Sequence, residues 1–152
     1  MTRRQNKVLA VSSGGGHWVQ LERLLPAFEG MRLFVATVEP RSAGGAGAER
    51  VFRIIDASRW EKLRLLRSAF GLLAIVLRVR PDVMISTGAA PGFFALLFGK
   101  MIGSRTIWVD SVANADELSM SGKKAGRVAD LWLTQWEHLA REGGPQFRGS
   151  VF

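Results

Sequence analysis

The stretch that decides the fold is Ser12-Ser13-Gly14-Gly15-Gly16-His17-Trp18, which joins a short apolar run to a helical one. Residues 7–12 are rich in Val and Leu, as a buried strand would be, and residues 18–28 carry apolar side chains at helical spacing. A strand, a glycine turn and a helix in this order bring backbone N–H groups and a helix N terminus together. The turn therefore suits an anion or a hydroxyl-rich ligand, and His17 adds a group that can transfer a proton there.

Strand-like and helix-like segments alternate along the rest of the chain. Strands are predicted at residues 7–12, 31–38, 50–56, 82–86, 105–109, 131–134 and, at the end, 149–152. Helices are predicted at residues 18–28, 59–79, 92–102 and 122–129. The alternation predicts an α/β fold, with a Rossmann-like parallel sheet flanked by helices, in a single domain over residues 1–152.

Ligands of such sheets bind at the carboxyl ends of the strands. A first loop (residues 13–17), a second loop (87–92) and a third loop (110–121) all follow predicted strands. We therefore expect the three loops to lie at one edge of the sheet and to form the binding site.

Composition limits the partners and the chemistry. The 152 residues are 47% hydrophobic, which predicts a globular core, and the net charge of +8 indicates an anionic partner. With no cysteine, two histidines and no Asp-x-Asp pair, the sequence predicts no metal site. The N terminus lacks the apolar core of a signal peptide, and no run of about 20 apolar residues occurs, so a cytoplasmic location without a transmembrane span is expected. Nucleic acid is a weak alternative partner, because no nucleic-acid-binding signature is present.

A dinucleotide site is one alternative interpretation of the first loop. The pattern reads Gly14-x-Gly16-x-x-Val19, so a valine stands where the third glycine should allow the helix and strand to pack closely. Glu39, at the end of the second strand, could act as the ribose-binding acid. A nucleotide-binding oxidoreductase is thus left open, as is a plain tight turn, which explains the glycines but not His17.

His17 is the candidate proton acceptor. A lone histidine is more often a structural residue than a catalyst, but this one lies at a helix start, where the dipole favours the neutral ring. A neutral imidazole can accept a proton, so the position indicates a functional role.

The helix predicted at residues 59–79 has an apolar arc wider than packing on a sheet requires. Arg64, Arg67 and Arg78 fall on one stripe beside this arc. Basic side chains beside a wide apolar surface suit an anionic membrane, and burial against a partner chain would explain the arc equally well. The candidate membrane-contact residues are Arg64, Arg67, Phe70, Leu73 and Leu77.

The second and third loops offer groups suited to a phosphate. Small residues at a helix start leave N–H groups free in the second loop, although a simple strand-to-helix turn fits nearly as well. The third loop supplies carboxylate, hydroxyl and amide groups, and a solvated loop with a helix cap is its alternative. The candidate acceptor- or phosphate-binding residues of all three loops are Ser13, Gly14, Gly15, Gly16, Thr87, Gly88, Ala89, Ser111 and Asn114.

Several stretches resemble the acceptor-side, membrane subunits of bipartite UDP-sugar glycosyltransferases. They are residues 13–21, 81–89, 119–123, 129–137 and 149–152. The chain is most similar to the bacterial exopolysaccharide type, PssD- or CpsF-like. Relatives of that family are the anchoring subunit of the eukaryotic dolichol-linked N-acetylglucosaminyltransferase and the N-terminal domain of MurG-like enzymes.

The resemblance implies the N-terminal half of a GT-B glycosyltransferase that is divided between two polypeptides. A separate small subunit would bind most of the UDP-sugar, which is a substrate, so that no cofactor is expected; Gln135, Trp136 and Glu137 would face that subunit. This chain would lie on the cytoplasmic face of the inner membrane and bind a polyprenyl-diphosphate-linked saccharide at the second loop. His17 would be the base of an inverting transfer or would orient the acceptor, and a non-catalytic membrane adaptor is the alternative.

Overall fold

Seven parallel strands form one sheet in the part of the chain that the computed structural model describes, residues 4–58 and 60–152. The strand order is β3-β2-β1-β4-β5-β6-β7, and every neighbouring pair is parallel. The strands are β1 Lys7–Ser12, β2 Arg32–Thr37, β3 Arg50–Arg53, β4 Val83–Ser86, β5 Arg105–Val109, β6 Leu131–Thr134 and β7 Gln146–Phe147.

Helices connect the strands and cover both faces, which confirms the predicted Rossmann-like fold. They are α1 Gly16–Leu24, α2 Lys62–Val79, α3 Ala89–Met101 and α4 Met120–Ala125, with 3-10 turns at Leu25–Phe28, Pro40–Ala43 and Glu137–Leu139. Because all strands are parallel, the loops that follow them meet at one edge, the carboxyl edge, and the loops that precede them meet at the other, the amino edge.

The core lies on both sides of the sheet. On one side Leu72 of α2 and Leu96 of α3 pack against the strands around Trp108. On the other side Leu21 of α1 packs against Val8 and its neighbours. The central strands are buried on both faces, which is why they read as continuous apolar runs rather than as alternating ones.

The prediction of a last strand at residues 149–152 is wrong. The last strand is Gln146–Phe147, and residues 149–152 form a tail beyond the sheet. Gly149 has φ +105°, a left-handed conformation that does not continue a strand. The tail is instead held by side chains: Arg23 donates to the Val151 carbonyl at 2.7 Å, and its guanidinium lies 4.2 Å from the centre of the Phe152 ring.

Several predicted helix bounds also differ from those observed. Helix α3 begins at Ala89 instead of residue 92, because Pro91 is tolerated in a first turn, where backbone N–H groups have no partner within the helix. Helix α4 ends at Ala125 instead of residue 129, and it begins after Ser119, whose hydroxyl caps it by accepting from the Gly122 N–H at 2.8 Å. The start predicted for α2 at residue 59 lies outside the described residues.

The remaining differences are small. The α1 segment changes to a 3-10 turn at Leu25, with Pro26 in its first turn. The third strand ends at Arg53 instead of residue 56. Among the described residues, none of the helices is both long and apolar enough to cross a membrane.

Candidate functional site

Two helix N termini meet at the carboxyl edge of the sheet. Helix α1 follows Gly15, which has φ +62°, and helix α3 follows Gly88, which has φ +141°. No side chain caps either helix, so the first-turn N–H groups are available for a ligand. Ala89 has φ +66°, an uncommon and strained conformation for a residue with a side chain.

His17 and Thr87 join these two helix starts by reciprocal hydrogen bonds. His17 Nδ1 lies 3.1 Å from the Thr87 carbonyl oxygen. In return the Thr87 hydroxyl donates to the His17 carbonyl at 2.7 Å. The imidazole also lies over Gly88, where a β-carbon would come within 2.5 Å of Nδ1. The ring is therefore fixed by the second loop, which is 70 residues away in sequence.

These contacts determine which ring nitrogen of His17 carries the hydrogen. A carbonyl oxygen only accepts hydrogen bonds, so Nδ1 must be the N–H that donates to Thr87. In the neutral ring Nε2 then has a free lone pair. The half-buried His17 side chain thus presents a proton acceptor at the carboxyl edge.

A carboxylate stands beside the first loop. A β-carbon on Gly14 would lie 2.7 Å from Glu39 Oε1, so only glycine allows this close approach without moving the acid. Glu39 is exposed, and it follows β2 at the same edge of the sheet. Its negative charge opposes a phosphate at Gly14, whereas it can accept hydrogen bonds from the hydroxyl groups of a sugar.

Two buried glutamines connect the first loop, the third loop and the C-terminal tail. Gln20 Nε2 donates to the Gly16 carbonyl at 3.2 Å and to the Ser111 hydroxyl at 3.0 Å. Gln20 Oε1 accepts from the Val112 N–H at 3.0 Å and also from Gln135 Nε2. Gln135 Oε1 accepts in turn from the N–H of Val151 at 3.0 Å. These bonds hold three separate segments in one arrangement.

Asp110 organises the third loop. It is 1% exposed, and its carboxylate accepts from the indole N–H of Trp108 at 3.1 Å, from the Asn114 amide at 3.3 Å and from the Ser119 hydroxyl at 2.7 Å. Donors from the third loop and from the end of β5 therefore satisfy the hydrogen-bonding capacity of this carboxylate. Asp110 therefore shapes the third loop.

A cleft of about 470 Å³ adjoins the second loop. It lies between the segment before α2, the start of α3 and the start of α4, and Ala89, Arg64 and Ser121 are among its lining residues. Arg64 also forms a 3.5 Å ion pair with Glu61, and both side chains are about half exposed. Arg64, which was predicted as a membrane contact, thus lines a cleft beside the second loop.

Helix α2 exposes an apolar stripe that points away from the sheet. Leu63, Leu66, Phe70 and Leu77 are 80%, 54%, 63% and 48% exposed. Leu73 is half-buried, and Arg67 is exposed next to the stripe. Trp60, just before the helix, is 79% exposed and extends the apolar surface toward the carboxyl edge. Large apolar side chains in one continuous surface are typical of a contact with a membrane or a protein.

The predicted site residues separate into exposed and buried groups. Gly15 and Gly16 are exposed, and Gly14, His17, Ala89 and Asn114 are half-buried, so these residues are open to a ligand. The buried ones are Ser13, Thr87, Gly88 and Ser111. The hydroxyls of Thr87 and Ser111 are already bonded within the chain, so in this conformation these two side chains position the site.

The three residues predicted to face a partner chain also differ in their exposure. Glu137 is exposed, whereas the half-buried Trp136 donates its indole N–H to the Val112 carbonyl at 2.8 Å. Gln135 is 5% exposed, and its side chain is used in the glutamine network. Contact with a partner stays a prediction, and burial favours it only for Glu137 and the outer part of Trp136.

Sequence reasoning missed the roles of Gln20 and Arg23. Their partners lie 91 and 128 residues away, so no local pattern points to them. The place of Glu39 beside the first loop was part of the dinucleotide interpretation, and it holds because β1 and β2 are neighbouring parallel strands whose carboxyl ends lie together. Within residues 4–58 and 60–152, no three His, Cys, Asp or Glu side chains are placed to hold a metal ion.

A known protein family covers most of the chain. The family model described as oligosaccharide biosynthesis protein Alg14 like matches residues 51–150, which include the second and third loops. The first loop, with His17, precedes the matched residues. No curated protein sequence matches the chain significantly.

Solved structures share the fold over the whole sheet. The chain is similar to MurG from Acinetobacter baumannii with a TM-score of 0.79 and 12% identity, covering 97% of this chain and 46% of that one. A UDP-N-acetylglucosamine 2-epimerase from Rickettsia bellii gives a TM-score of 0.69 and 11% identity, covering 97% and 46%. A glycosyltransferase from Rickettsia africae gives 0.57 and 12%, covering 83% and 35%. The chain thus spans less than half the length of these proteins and has the fold of one half of a GT-B glycosyltransferase, as predicted.

Proposed function

Since the chain belongs to the Alg14-like family of oligosaccharide biosynthesis proteins, we propose that it is the acceptor-binding, membrane-associating subunit of a two-chain inverting glycosyltransferase. Its single domain, residues 1–152, would provide one half of the catalytic cleft, and a small donor-binding chain would provide the other. The observation that carries the proposal is the His17–Thr87 pair, which fixes the imidazole through Nδ1 and leaves Nε2 without a partner among the described residues where two uncapped helices begin.

In the proposed reaction His17 is the general base. Nε2 takes the proton of the acceptor sugar's hydroxyl as its oxygen attacks the anomeric carbon of the UDP-sugar. The bond from that carbon to the UDP oxygen breaks, and UDP leaves with the electron pair. The Thr87 carbonyl remains hydrogen-bonded to Nδ1 and stabilises the imidazolium that forms.

The acceptor would lie across both loops. Its diphosphate would be held at the second loop, where the start of α3 offers N–H groups and Arg64 lines the neighbouring cleft. Its terminal sugar would lie at the first loop, where Glu39 beside Gly14 favours hydroxyl groups over phosphate. This assignment keeps the diphosphate at the second loop, as the resemblance implies, and gives the first loop to the sugar.

The exposed stripe of α2 would place the chain on the cytoplasmic face of the inner membrane as a peripheral protein. Helix α2 begins at the carboxyl edge, next to the cleft, so a polyprenyl chain could stay in the bilayer while its diphosphate enters the site. Apolar side chains beside Arg67 and Arg78 suit an anionic surface. The product would be a lipid-linked saccharide for an exopolysaccharide or another glycan.

The partner chain would bind most of the UDP-sugar. Structural neighbours that carry UDP-N-acetylglucosamine in their names are more than twice as long as this chain. UDP-N-acetylglucosamine is therefore the first donor to test, as a substrate; the proposal assigns no cofactor to this chain.

The test is sugar transfer by the chain purified together with the proteins that remain bound to it. Labelled UDP-N-acetylglucosamine and a membrane extract supply donor and acceptor. We expect His17→Ala to lower kcat by about 10²- to 10⁴-fold, the range usual for loss of a general base. His17→Gln, which keeps hydrogen-bonding groups but cannot take the proton, is the matched variant and should be equally slow. Undiminished turnover in both variants, with the complex intact, would leave the chain as a membrane adaptor only.

A further inference from the structure

A second cavity lies at the amino edge, the edge of the sheet opposite to His17. It is a cleft of about 860 Å³ between the end of α2, the end of α3 and the starts of β4 and β5. Leu77, Pro81 and Ile102 give it apolar walls, and Arg80 and Arg105 give it two guanidinium groups. A hydrogen bond from the Ser104 hydroxyl to the Pro81 carbonyl, 2.6 Å long, ties two of its sides together.

Both guanidinium groups of this amino-edge cleft are free to bind an anion. Arg80 and Arg105 are exposed, and neither forms a side-chain hydrogen bond or ion pair within the described residues. The acid of the cleft, Asp82, is already used: its carboxylate accepts from the Lys7 N–H at 2.8 Å and pairs with Arg4 at 3.2 Å. The cleft therefore keeps a positive charge that the chain itself does not neutralise.

Arg80 has a backbone conformation that would cost less conformational free energy with glycine in its place. It ends α2 in the left-handed conformation, with φ +47° and ψ +64°. Glycine or asparagine is the usual residue there, because a β-carbon is strained in this region. The arginine side chain forms no hydrogen bond or ion pair with the described residues, so its charge stays available to a ligand of the cleft.

The cleft continues the exposed stripe of α2. Leu77 belongs to both, and Met101 and Ile102, at the end of α3, add surfaces that are 74% and 38% exposed. Over its 18 residues α2 is about 27 Å long. A bilayer that contacts the whole stripe would therefore bring its headgroups to the cleft at one end and to the candidate site at the other.

We propose that the amino-edge cleft binds the phosphate headgroup of an anionic phospholipid. The proposal rests on the proposed function only for the contact between α2 and the membrane, and it does not depend on catalysis. Two guanidinium groups would hold the phosphate, while Leu77 and Ile102 would contact the first part of the acyl chains. Bound in this way, the lipid would fix the end of α2 that lies opposite to the catalytic edge.

The experiment measures binding of the full chain to phosphatidylcholine vesicles with and without phosphatidylglycerol. Arg80→Gly removes the charge and relieves the backbone strain, so the variant should fold at least as well as the parent. We expect it to weaken binding to phosphatidylglycerol vesicles by about tenfold or more. Arg78→Gln, two residues earlier and also exposed, should weaken binding to the same vesicles by about fivefold or less, the share of one diffuse surface charge.

The energetic coupling between Arg80 and Arg105 gives an independent test of the headgroup site. If Arg80 and Arg105 hold one phosphate, the effect of Arg80→Gly with Arg105→Gln will be smaller than the product of the single effects. Equal losses for Arg80→Gly and Arg78→Gln, or multiplicative effects in the double variant, would show diffuse attraction and overturn the proposal. Binding of inorganic phosphate by the parent but not by Arg80→Gly, with equal vesicle binding by both proteins, would also overturn it, because the cleft would then bind a free anion and not a headgroup.

Phe70→Asp separates this proposal from the proposed function. If it abolishes vesicle binding while Arg80→Gly behaves like Arg78→Gln, the α2 contact stands and the headgroup site fails. If Arg80→Gly abolishes binding while Phe70→Asp does not change it, the headgroup site stands and the α2 contact fails. Absence of vesicle binding by the parent chain would overturn both, and the His17 variants would still test catalysis.

Discussion

The first and second loops occupy equivalent places in the fold but differ in burial and strain. Each follows a strand and leads into a helix without a side-chain cap. The first loop exposes Gly15 and Gly16, whereas the second buries Thr87 completely and carries a positive φ at Ala89. In the proposed reaction the first loop would therefore offer exposed main-chain groups to the acceptor sugar, whereas the second loop, besides holding the diphosphate, would fix His17 through the buried Thr87.

Of the variants in these two loops, Gly88→Ala should cause the largest losses of activity and stability. The new β-carbon would lie 2.5 Å from His17 Nδ1, and φ +141° is unfavourable for alanine. We expect kcat to fall by about 100-fold, since a displacement of about 1 Å at a catalytic group has effects of that size. The free energy of unfolding should fall by about 2 kcal/mol.

The matched control for Gly88→Ala is Gly16→Ala in the first loop. A β-carbon there has no atom within 4 Å, so kcat and urea unfolding should stay close to those of the parent, and any loss should appear in KM for the acceptor, which this loop faces. Equal losses in both variants would remove the distinction between a positioning loop and a ligand-facing loop.

Thr87→Val sharpens the positioning role. Valine keeps the volume and the main-chain carbonyl that orients Nδ1, but it loses the hydroxyl that donates to His17. We expect about 1 kcal/mol lower stability and a kcat about tenfold lower. KM for the acceptor should not change, since the buried hydroxyl does not contact the ligand. A higher KM with unchanged kcat would instead make Thr87 a binding residue, as the sequence suggested.

Gly14→Ala tests whether Glu39, beside the first loop, contributes to binding of the acceptor. The β-carbon would lie 2.7 Å from Glu39 Oε1, and the flexible acid can move aside at little cost in stability. We expect KM for the acceptor to rise about tenfold, the effect of one hydrogen bond to a charged group, with kcat nearly unchanged. Glu39→Gln should raise KM in the same direction. If Glu39→Gln lowered KM, the first loop would be binding phosphate and not sugar hydroxyls.

The same two loops show how much the sequence could predict. Parallel topology follows from alternating apolar runs and helical spacing, so the position of both loops at one edge was predictable. The burial of Thr87 was not, because its partner is the main chain of His17, 70 residues away. The glutamine network escaped prediction for the same physical reason: Gln20 bonds to groups that only the completed sheet brings close.

Asp130→Asn, at the amino edge, should change stability alone and leave the transfer reaction unaffected. The pKa of Asp130 is lowered, first by the hydrogen bond from Lys100 and then by the Thr106 N–H, which donates to it at 2.9 Å. Because this pKa is below that of the unfolded chain, the stabilisation is complete above about pH 4 and is lost as pH falls through the folded-state value. The side chain is 42% exposed, so solvent screening limits the cost at pH 7 to about 1 kcal/mol.

Urea unfolding of the parent and Asp130→Asn at pH 7 and at pH 3 measures this effect. The difference between the two proteins should shrink at the lower pH, and sugar transfer at pH 7 should be the same for both. Glu117→Gln is the control, since its pair with Lys123 is largely exposed and should contribute little. A loss of transfer activity in Asp130→Asn would mean that the amino edge takes part in the reaction, and the assignment of catalysis to the two loops of the carboxyl edge would then be incomplete.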